Sequence, residues 1–420
     1  MNHFDLINGV LHAEDVALPD IAAAVGTPVY IYSRATLERH AQVFRAGLSG
    51  LDNPHLAFAV KSNPNLAVLK VLARQGYGAD VVSGGEMDRA LAADMAPEDI
   101  VFSGVGKTAE EIVRALKAGI GQFNIESEEE GRELATLANA LNYQANAVLR
   151  INPDVDAGTH GKISTGKADN KFGVGIHRAT EIYGRLNALP GLNMRGVALH
   201  IGSQLTSLEP LETAFTKVGV LIEDLRDQGH KVTHVDLGGG LGVRYRDGDN
   251  PPEPAEYGAM VARVTKDWGV RLMFEPGRVI AGNAGVLLTR VIRVKPGSGN
   301  APFAIVDAAM NDLARPALYD AWHDFDAVEP NGRKMTANIV GPVCETGDTF
   351  AMGREIDVVE ANDLGVFRTA GAYGATMAST YNSRGLVPEV LVDGDKFAVV
   401  AERISPETIL AAEHVPDWLK

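Results

Sequence analysis

The sequence contains almost no cysteine, few aromatic residues and no long apolar run. Cys344 is the one cysteine in 420 residues, so an intrachain disulfide and a thiolate metal cluster are both excluded. No apolar run approaches the length of a membrane span. Residues 1–5 lack the basic and apolar segments of a signal peptide. We therefore expect a cytoplasmic protein that does not act at a membrane and has no metal centre.

Positive charge is also in short supply. The 39 lysines and arginines are outnumbered by 54 acidic residues, which gives a net charge of -15. This balance argues against a nucleic-acid partner, although it still permits a local cationic pocket. The hydrophobic content of 45% and charged content of 22% are typical of a globular protein. The length predicts two domains or one large domain with an appendage, and the expected partner is a small molecule.

Short apolar runs alternate with amphipathic stretches between about residues 55 and 280. Stretches such as 109–118 and 128–141 carry helical spacing, and eight strands in such alternation predict a (β/α)8 barrel. A doubly wound open sheet is the competing interpretation, but no Gly-x-Gly-x-x-Gly follows the first strand. The candidate strands are 56–61, 79–82, 100–103, 122–125, 147–151, 196–200, 233–237 and 271–275.

After Pro276 the pattern becomes β-rich. Asp393-Gly394-Asp395 is a hairpin signal between two of the runs. We predict a barrel domain over residues 31–280 and a β-rich domain, similar to a sandwich or barrel, formed by 1–30 and 281–420. The strands expected there are 286–294, 303–306, 338–343, 389–392 and 396–401.

The chemically unusual residues lie at the ends of the predicted barrel strands. Barrel enzymes keep their active sites at the C-terminal ends of the strands. A lysine at the end of a buried strand loses hydration, which favours the neutral amine, and such an amine can form a Schiff base with an aldehyde. The glycine run 238–242 exposes backbone N–H groups that suit a phosphate. The candidates at this end are Lys61, Asp80, His200, Ser203, Gly239, Gly240, Glu275, Gly277 and Arg278.

These motifs resemble a known enzyme class. Segments 58–63, 80–86, 200–204, 238–242 and 275–278 are similar, in this order, to the alanine-racemase-like class of pyridoxal-phosphate enzymes. Segments 160–165, 315–319, 341–345 and 371–373 look like the diaminopimelate decarboxylases within that class. The resemblance covers almost the whole chain. Two residues depart from the family pattern. Ser62 stands where alanine is more usual, and Thr346 follows the Cys-Glu pair, but neither departure changes the key side chains.

The resemblance implies a (β/α)8 barrel that binds pyridoxal 5'-phosphate. Lys61 would hold the cofactor covalently, Glu275 would face the pyridine nitrogen, and His200 would stack on the ring. Asp80 and Glu86 would lie behind these groups, or would be structural. The residues expected around the phosphate or its rim are Ser203, Gly239, Gly240, Gly277, Arg278 and Tyr373.

The resemblance also implies the substrate. Arg278, Arg315 and Tyr319 would bind the distal carboxylate, since a guanidinium suits a carboxylate, and Tyr373 would also contact the substrate. Glu345 would receive the distal ammonium. The implied reaction converts meso-2,6-diaminopimelate to L-lysine and CO2, the last step of lysine biosynthesis.

Cys344 is the expected proton donor in that reaction. In the family, the Cys-Glu segment reaches the lysine of a partner subunit, which implies a homodimer with shared active sites.

Other interpretations stay open at this point. A decarboxylase of ornithine, arginine or carboxynorspermidine on the same fold is the main alternative, and Arg315 disfavours it. A racemase would need a second base, typically a tyrosine, opposite Lys61, and it is disfavoured because Cys344 occupies the segment where that base is expected. A non-catalytic pyridoxal-phosphate carrier is disfavoured by the added β-rich domain. His160 and Lys162 lie in a glycine-containing stretch that is either a lid or a hydrated loop.

Overall fold

The computed structural model describes residues 2–156, 158, 165–166, 170–299 and 301–419. The chain divides into two compact units. The barrel unit comprises Glu38–Val243 and Asn250–Ile280, and the β unit comprises Met1–Leu37, Arg244–Asp249 and Ala281–Lys420.

The first elements along the chain are short strands followed by two helices. The strands β1, β2 and β3 pair in an antiparallel sheet. Helix α1 carries a proline in its first turn, where the missing N–H costs nothing. The bounds are β1 (Leu6–Ile7), β2 (Val10–Ala13), β3 (Val16–Ala17), α1 (Leu18–Val25), β4 (Val29–Ser33) and α2 (Arg34–Gly47).

Eight parallel strands from the described residues close the barrel. The register continues through the β8–β9 and β13–β5 pairs, so the sheet has no free edge. The strands are β5 (His55–Ala59), β6 (Gly78–Val81), β7 (Ile100–Phe102), β8 (Gln122–Ile125), β9 (Ala145–Asn152), β11 (Leu192–Leu199), β12 (His234–Asp236) and β13 (Arg271–Phe274), and the two-residue β10 (Val174–Gly175) adds to β9.

Helices connect the barrel strands and carry clear end signals. Thr108 and Glu111 form a capping box at the start of α5, and Gly119 ends that helix in the left-handed conformation. Ser83 caps α4 by accepting the Glu86 N–H. The helices are α3 (Leu66–Arg74), α4 (Gly84–Ala92), α5 (Ala109–Ala118), α6 (Glu128–Ala140), α7 (Ile176–Asn187), α8 (Glu209–Asp227), α9 (Pro254–Thr265) and α10 (Arg278–Ala281).

The β unit is built on a mixed sheet in the order β18-β17-β15-β14-β4-β20-β21. Strand β19 pairs with β14 and β16. The apolar core of this unit includes Ile31, Leu288 and Val390 from three neighbouring strands. The elements are β14 (Gly285–Lys295), β15 (Phe303–Val306), α11 (Arg315–Tyr319), β16 (Phe325–Ala327), β17 (Lys334–Val340), β18 (Thr349–Asp357), β19 (Leu364–Phe367), β20 (Glu389–Asp393), β21 (Lys396–Ala401) and α12 (Pro406–Leu410).

The predicted barrel with a β-rich region is confirmed, and the details differ in three places. Strand β5 ends at Ala59, so Lys61 lies in a 3-10 turn, Val60–Ser62, rather than in the strand. Residues 31–37, which were assigned to the barrel, lie in the β unit because β4 pairs with β14 and β20. Strands β16, β18 and β19 were not predicted. Among the described residues, every helix is too short or too polar to span a bilayer.

Candidate active site

Lys61 and Asp80 form an ion pair at the C-terminal ends of neighbouring strands. The register places Ala59 beside Asp80, and the turn that follows brings the Lys61 Nζ to 2.6 Å from Asp80 Oδ2. Ser62 fixes this turn by donating to the Ala59 carbonyl at 2.7 Å. Asp80 is fully buried, whereas 36% of the Lys61 side chain remains exposed. The expected desolvation of Lys61 is therefore only partial, and the carboxylate holds its amine in place.

Glu275 follows β13, the strand next to β5, and is buried in the same end of the barrel. Its Oε1 lies 3.3 Å from Asn124 Nδ2 and 3.4 Å from Ser103 Oγ. Burial raises the pKa of Glu275 well above its usual value, and the carboxylates of Asp236 and Asp80 add to that rise. The Lys61 ammonium acts in the opposite direction and lowers the pKa of Glu275.

Asp236 and Glu275 form a buried carboxyl pair. Glu275 donates a hydrogen bond to Asp236, which lowers the pKa of Asp236, while burial raises it. Asp236 also accepts hydrogen bonds from Asn124 Nδ2 at 2.9 Å and from the Gly238 N–H at 2.9 Å. Because these hydrogen-bond donors surround Asp236, Asp236 is the ionised member of the pair and Glu275 carries the proton.

His200 lies half-buried just beyond β11. Its Nδ1 accepts the N–H of Gly239 at 3.2 Å. Burial, together with the nearby Arg150 and Lys61 cations, lowers its pKa to about 3. The imidazole is therefore neutral. A neutral imidazole can stack on an aromatic ring, but it is not protonated and so cannot serve as a general acid.

The glycine run beside His200 is a cradle with no room for a side chain. A Cβ on Gly239 would lie 2.2 Å from the Glu275 carbonyl oxygen, and one on Gly240 would lie 2.4 Å from the Gly202 carbonyl oxygen. Gly240 also has a φ of +112°, which side-chain-bearing residues rarely adopt. A ligand can therefore approach the backbone closely here, as a phosphate does in other glycine-rich turns.

Arg278 supplies a buried cation in the same unit. Its Nη2 lies 3.0 Å from Ser203 Oγ and its Nε lies 3.3 Å from the same oxygen. A Cβ on Gly277 would lie 3.0 Å from Ser62 Oγ, so the chain passes close to the turn that holds Lys61. A guanidinium and a hydroxyl fixed together suit a phosphate oxygen.

Several buried polar residues were missed by the sequence analysis, namely Ser103, Asn124, Glu126 and Asp236. Glu126 accepts a hydrogen bond from Arg150 Nη1 at 2.6 Å and from the N–H of Gly173 at 2.9 Å. Ser103 and Glu126 directly follow strands, so a systematic scan of strand ends would have found them. Glu86 Oε2 accepts the Val82 N–H at 2.8 Å, and the charges of Lys61 and Asp80 both act on its carboxyl group.

Arg315 is held rigidly inside the β unit. Its guanidinium lies 4.7 Å from the centre of the Tyr245 ring, and its Nη1 lies 2.9 Å from His323 Nε2. His323 donates from Nδ1 to the Arg368 carbonyl at 2.8 Å, which leaves Nε2 as the acceptor. Tyr319, one turn along α11, is half-buried.

Cys344 and Glu345 lie on an exposed loop of the β unit. The Cys344 N–H donates to Asn382 Oδ1 at 3.3 Å. Glu345 accepts a hydrogen bond from Tyr381, which raises the pKa of that phenol. The buried Asp348 fixes the base of the loop by accepting the Val343 N–H at 2.6 Å. The loop therefore presents a thiol and a carboxylate outward from a fixed base.

Tyr373 belongs to the β unit and has a φ of +56°. A bulky residue in this conformation is uncommon and indicates that the fold imposes its direction. The predicted barrel residues thus come together at one end of the barrel, whereas Arg315, Tyr319, Cys344, Glu345 and Tyr373 belong to the β unit. His160 and Lys162 lie outside the described residues.

The barrel residues fit a phosphorylated pyridine aldehyde. The glycine cradle and the Arg278–Ser203 pair suit its phosphate, and the Lys61 amine suits its aldehyde. Within the described residues, Asp80 Oδ1 is buried without a hydrogen-bond partner, which leaves an acceptor for an arriving polar group.

Comparison with known proteins agrees with this chemistry. Residues 34–282 match the family described as "Pyridoxal-dependent decarboxylase, pyridoxal binding domain". The chain is 53% identical to the diaminopimelate decarboxylase of Zymomonas mobilis subsp. mobilis, over 99% of each chain. It is 51% identical to that of Pseudomonas fluorescens, over 98% of this chain and 99% of the relative.

Solved structures of similar proteins extend the comparison. Diaminopimelate decarboxylase from M. jannaschii in complex with L-lysine has a TM-score of 0.93 at 34% identity, covering 99% of this chain and 98% of that one. The enzyme from Helicobacter pylori complexed with L-lysine has a TM-score of 0.90 at 37% identity, covering 94% and 98%.

Proposed function

The chain belongs to the diaminopimelate decarboxylase family of pyridoxal-dependent decarboxylases, and from this premise we propose how its residues divide the work. The reaction removes one carboxylate of meso-2,6-diaminopimelate and gives L-lysine and CO2, the last step of lysine biosynthesis. The cofactor is pyridoxal 5'-phosphate, which when bound supplies an electron sink for the electron pair left by CO2.

One observation carries the assignment of the site: Lys61 and Glu275 follow the paired strands β5 and β13, at the same end of the barrel. An amine and a carboxyl group placed in this way can hold the aldehyde and the ring nitrogen of one cofactor molecule. Asp80 orients the Lys61 amine through the 2.6 Å contact. The glycine cradle, Ser203 and Arg278 would hold the phosphate, and His200 would cover the ring.

Glu275 holds a proton that it shares with Asp236, at the end of the barrel where the ring nitrogen would lie. Its hydrogen bond to Asp236 and its burial both favour the protonated carboxyl group. A protonated ring is the stronger electron sink, so this proton suits loss of CO2. His200 stays neutral and its Nδ1 is occupied by the Gly239 N–H, so it does not act as the base.

Arg315 and Glu345 would bind the distal carboxylate and the distal ammonium of the substrate, respectively. The buried Arg315 guanidinium is a fixed fork for a carboxylate, with Tyr319 beside it on α11 and Tyr373 as a further contact. Glu345 is an exposed carboxylate suited to an ammonium. Together they match a zwitterionic tail, which meso-2,6-diaminopimelate has and ornithine does not.

Cys344 would deliver the proton that replaces CO2, and we place it in the site of a second copy of the chain. An exposed thiol on a supported loop is suited to reach another molecule. The β unit also exposes apolar side chains that a homodimer would cover. These are Leu410, Val415, Trp418 and Leu419. We place the enzyme in the cytoplasm, where its amino-acid substrate would be found.

Substrate choice is tested by comparing CO2 release from four amino acids. We expect turnover of meso-2,6-diaminopimelate to exceed that of ornithine, arginine and carboxynorspermidine, because the last three lack a matching distal carboxylate and ammonium pair. Faster turnover of any of these three would favour the alternative decarboxylase.

The role of Lys61 is tested by substitution. Lys61→Ala should abolish both turnover and the absorbance of a cofactor joined to the lysine amine, because the amine that forms the Schiff base is removed. Lys70→Ala is the matched control, since Lys70 is a half-exposed lysine on α3 paired with Asp94. A Lys61 variant that retains both signals would refute the assignment.

A further inference from the structure

Asp348 closes the loop that carries Cys344 and Glu345. Its backbone carbonyl accepts the Gly341 N–H at 3.0 Å, and its backbone N–H donates to the Glu345 carbonyl at 3.1 Å. Its side chain accepts the Val343 N–H through Oδ2 at 2.6 Å. One residue therefore holds the chain before and after the exposed thiol.

The second oxygen of the same carboxylate fastens the loop to the interior of the β unit. Asp348 Oδ1 accepts the Met310 N–H at 2.6 Å. The neighbours of Met310 in the chain are Ala309, which is fully buried, and Asn311, which is 2% exposed. The segment then leads into α11, which begins at Arg315. The exposed loop is thus joined to a buried segment through one side chain.

An ionised carboxylate is the group that satisfies both of these donors. Asp348 is 2% exposed, and burial raises its pKa because a buried charge loses hydration. The hydrogen bonds from Val343 and Met310 lower the pKa of Asp348 and so favour the ionised form. An asparagine has one acceptor oxygen, and its NH2 group would face the other backbone N–H. The two anchoring bonds therefore require the acid and are not available to the amide.

Gly341 provides the space in which this carboxylate lies. A Cβ on Gly341 would overlap both carboxylate oxygens of Asp348. A side chain at position 341 would therefore push the carboxylate away from its two backbone donors. The position of the loop depends on this glycine as well as on the acid.

We propose that Asp348 is a positioning residue for proton delivery and for substrate binding. It acts through the loop, because its carboxylate fixes where the Cys344 thiol and the Glu345 carboxylate lie. This inference rests on the roles proposed above for Cys344 and Glu345. A displacement of about 1 Å in a reacting group can lower a rate by about 10²-fold.

The test is Asp348→Asn, introduced into the wild-type chain and into the Cys344→Ala chain, with both enzymes loaded with cofactor. In the wild-type chain, kcat should fall by about tenfold or more and the KM for meso-2,6-diaminopimelate should rise, because both loop groups are displaced. In the Cys344→Ala chain, the same change should raise KM and lower kcat no further, because the thiol is already absent. Steady-state CO2 release measures both constants, and cofactor absorbance reports an intact cofactor site.

A second variant and two controls accompany this test. Gly341→Ala keeps Asp348 but displaces its carboxylate, so it should reproduce the fall in kcat. The control for Asp348→Asn is Asp363→Asn, since Asp363 Oδ2 accepts the Glu360 N–H at 2.7 Å in a turn of the same unit. The control for Gly341→Ala is Gly299→Ala, because no described atom lies within 4 Å of the added Cβ. Both controls should keep the wild-type kcat and KM.

The positioning role is overturned if Asp348→Asn lowers kcat by the same factor in both chains and leaves KM unchanged, which is the result of a smaller folded fraction. It is also overturned if Asp348→Asn has no more effect than Asp363→Asn, or if Gly341→Ala behaves like Gly299→Ala.

The outcome for Cys344→Ala separates this inference from the proposed function. Loss of turnover in Cys344→Ala with full turnover in Asp348→Asn would overturn the positioning role alone. Full turnover in Cys344→Ala would refute the role of the thiol, and this inference with it.

Discussion

At the scale of single residues, the site depends on how buried charges are paired. Lys61 is held by Asp80, and Glu275 is held by Asp236 and Asn124. Each of these partners lies on another strand of the barrel. The two groups to which we assign the cofactor are therefore positioned by the closed sheet.

The sequence predicted the site residues that follow the strands and missed those that lie within the strands, inside the barrel. Lys61, His200 and Glu275 each follow an apolar run, which is a visible signal. Asn124 and Asp236 lie within short strands, where a polar residue looks the same whether it faces solvent or the barrel interior. Only closure of the barrel shows that these two side chains meet.

Cys344→Ala should retain bound cofactor and lose turnover by roughly 10²–10⁴-fold, as expected when a proton donor is removed. Steady-state kinetics and the cofactor absorbance spectrum measure the two effects. Thr346→Ala, at an exposed position on the same loop, serves as the control. Undiminished turnover in Cys344→Ala would assign proton delivery to another residue.

Arg315→Lys should raise the KM for meso-2,6-diaminopimelate by roughly tenfold or more and change kcat little, because lysine keeps the charge but loses the planar fork. The guanidinium of Arg315 is positioned by two contacts, because it lies 4.7 Å from the centre of the Tyr245 ring and bonds His323 Nε2 at 2.9 Å. Arg293→Lys, at an exposed position on β14, should leave KM unchanged. An unchanged KM in the Arg315 variant would remove this residue from substrate binding.

At the scale of elements, buried parallel strands were the easiest to predict. Each is a short apolar run with both faces covered, so its signal does not depend on neighbours. Strand β18 was missed because its polar stretch Gly353–Glu355 breaks the apolar pattern, and β16 and β19 are only three and four residues long. Their pairing depends on partners distant in the chain.

The loop after β12 provides a prediction at this scale. Gly240→Ala should weaken binding of pyridoxal 5'-phosphate by roughly tenfold or more, since the added Cβ meets the Gly202 carbonyl and the φ of the residue becomes strained. Cofactor retained after dialysis, measured by absorbance, reports the effect. Gly106→Ala is the control, because nothing lies within 4 Å of its added Cβ. Equal retention by the two variants would contradict a role for the cradle.

At the scale of the whole molecule, the proposed shared sites can be tested by mixing two inactive variants. Lys61→Ala and Cys344→Ala chains each lack one group, and a mixed dimer would rebuild one complete site from the intact group of each. Random pairing of equal amounts should restore about one quarter of the wild-type activity in a two-fold symmetric dimer. Activity of the reassociated mixture measures this directly.

Each variant mixed with itself is the control for that experiment and should stay inactive. If the mixture is also inactive although mixed dimers are present, both groups act within one chain. Sedimentation of two differently tagged variants establishes that the mixed dimers have formed.

The pairing of β4 has a consequence for how the protein is made. Strand β4 spans Val29–Ser33, while its partners β14 and β20 span Gly285–Lys295 and Glu389–Asp393. A ribosome adding roughly 5–20 residues per second needs tens of seconds to produce the later partners. Throughout that time the barrel strands can emerge and fold while an apolar early strand waits unpaired. The newborn chain therefore has a period in which a chaperone, or a neighbouring nascent chain, competes for that strand.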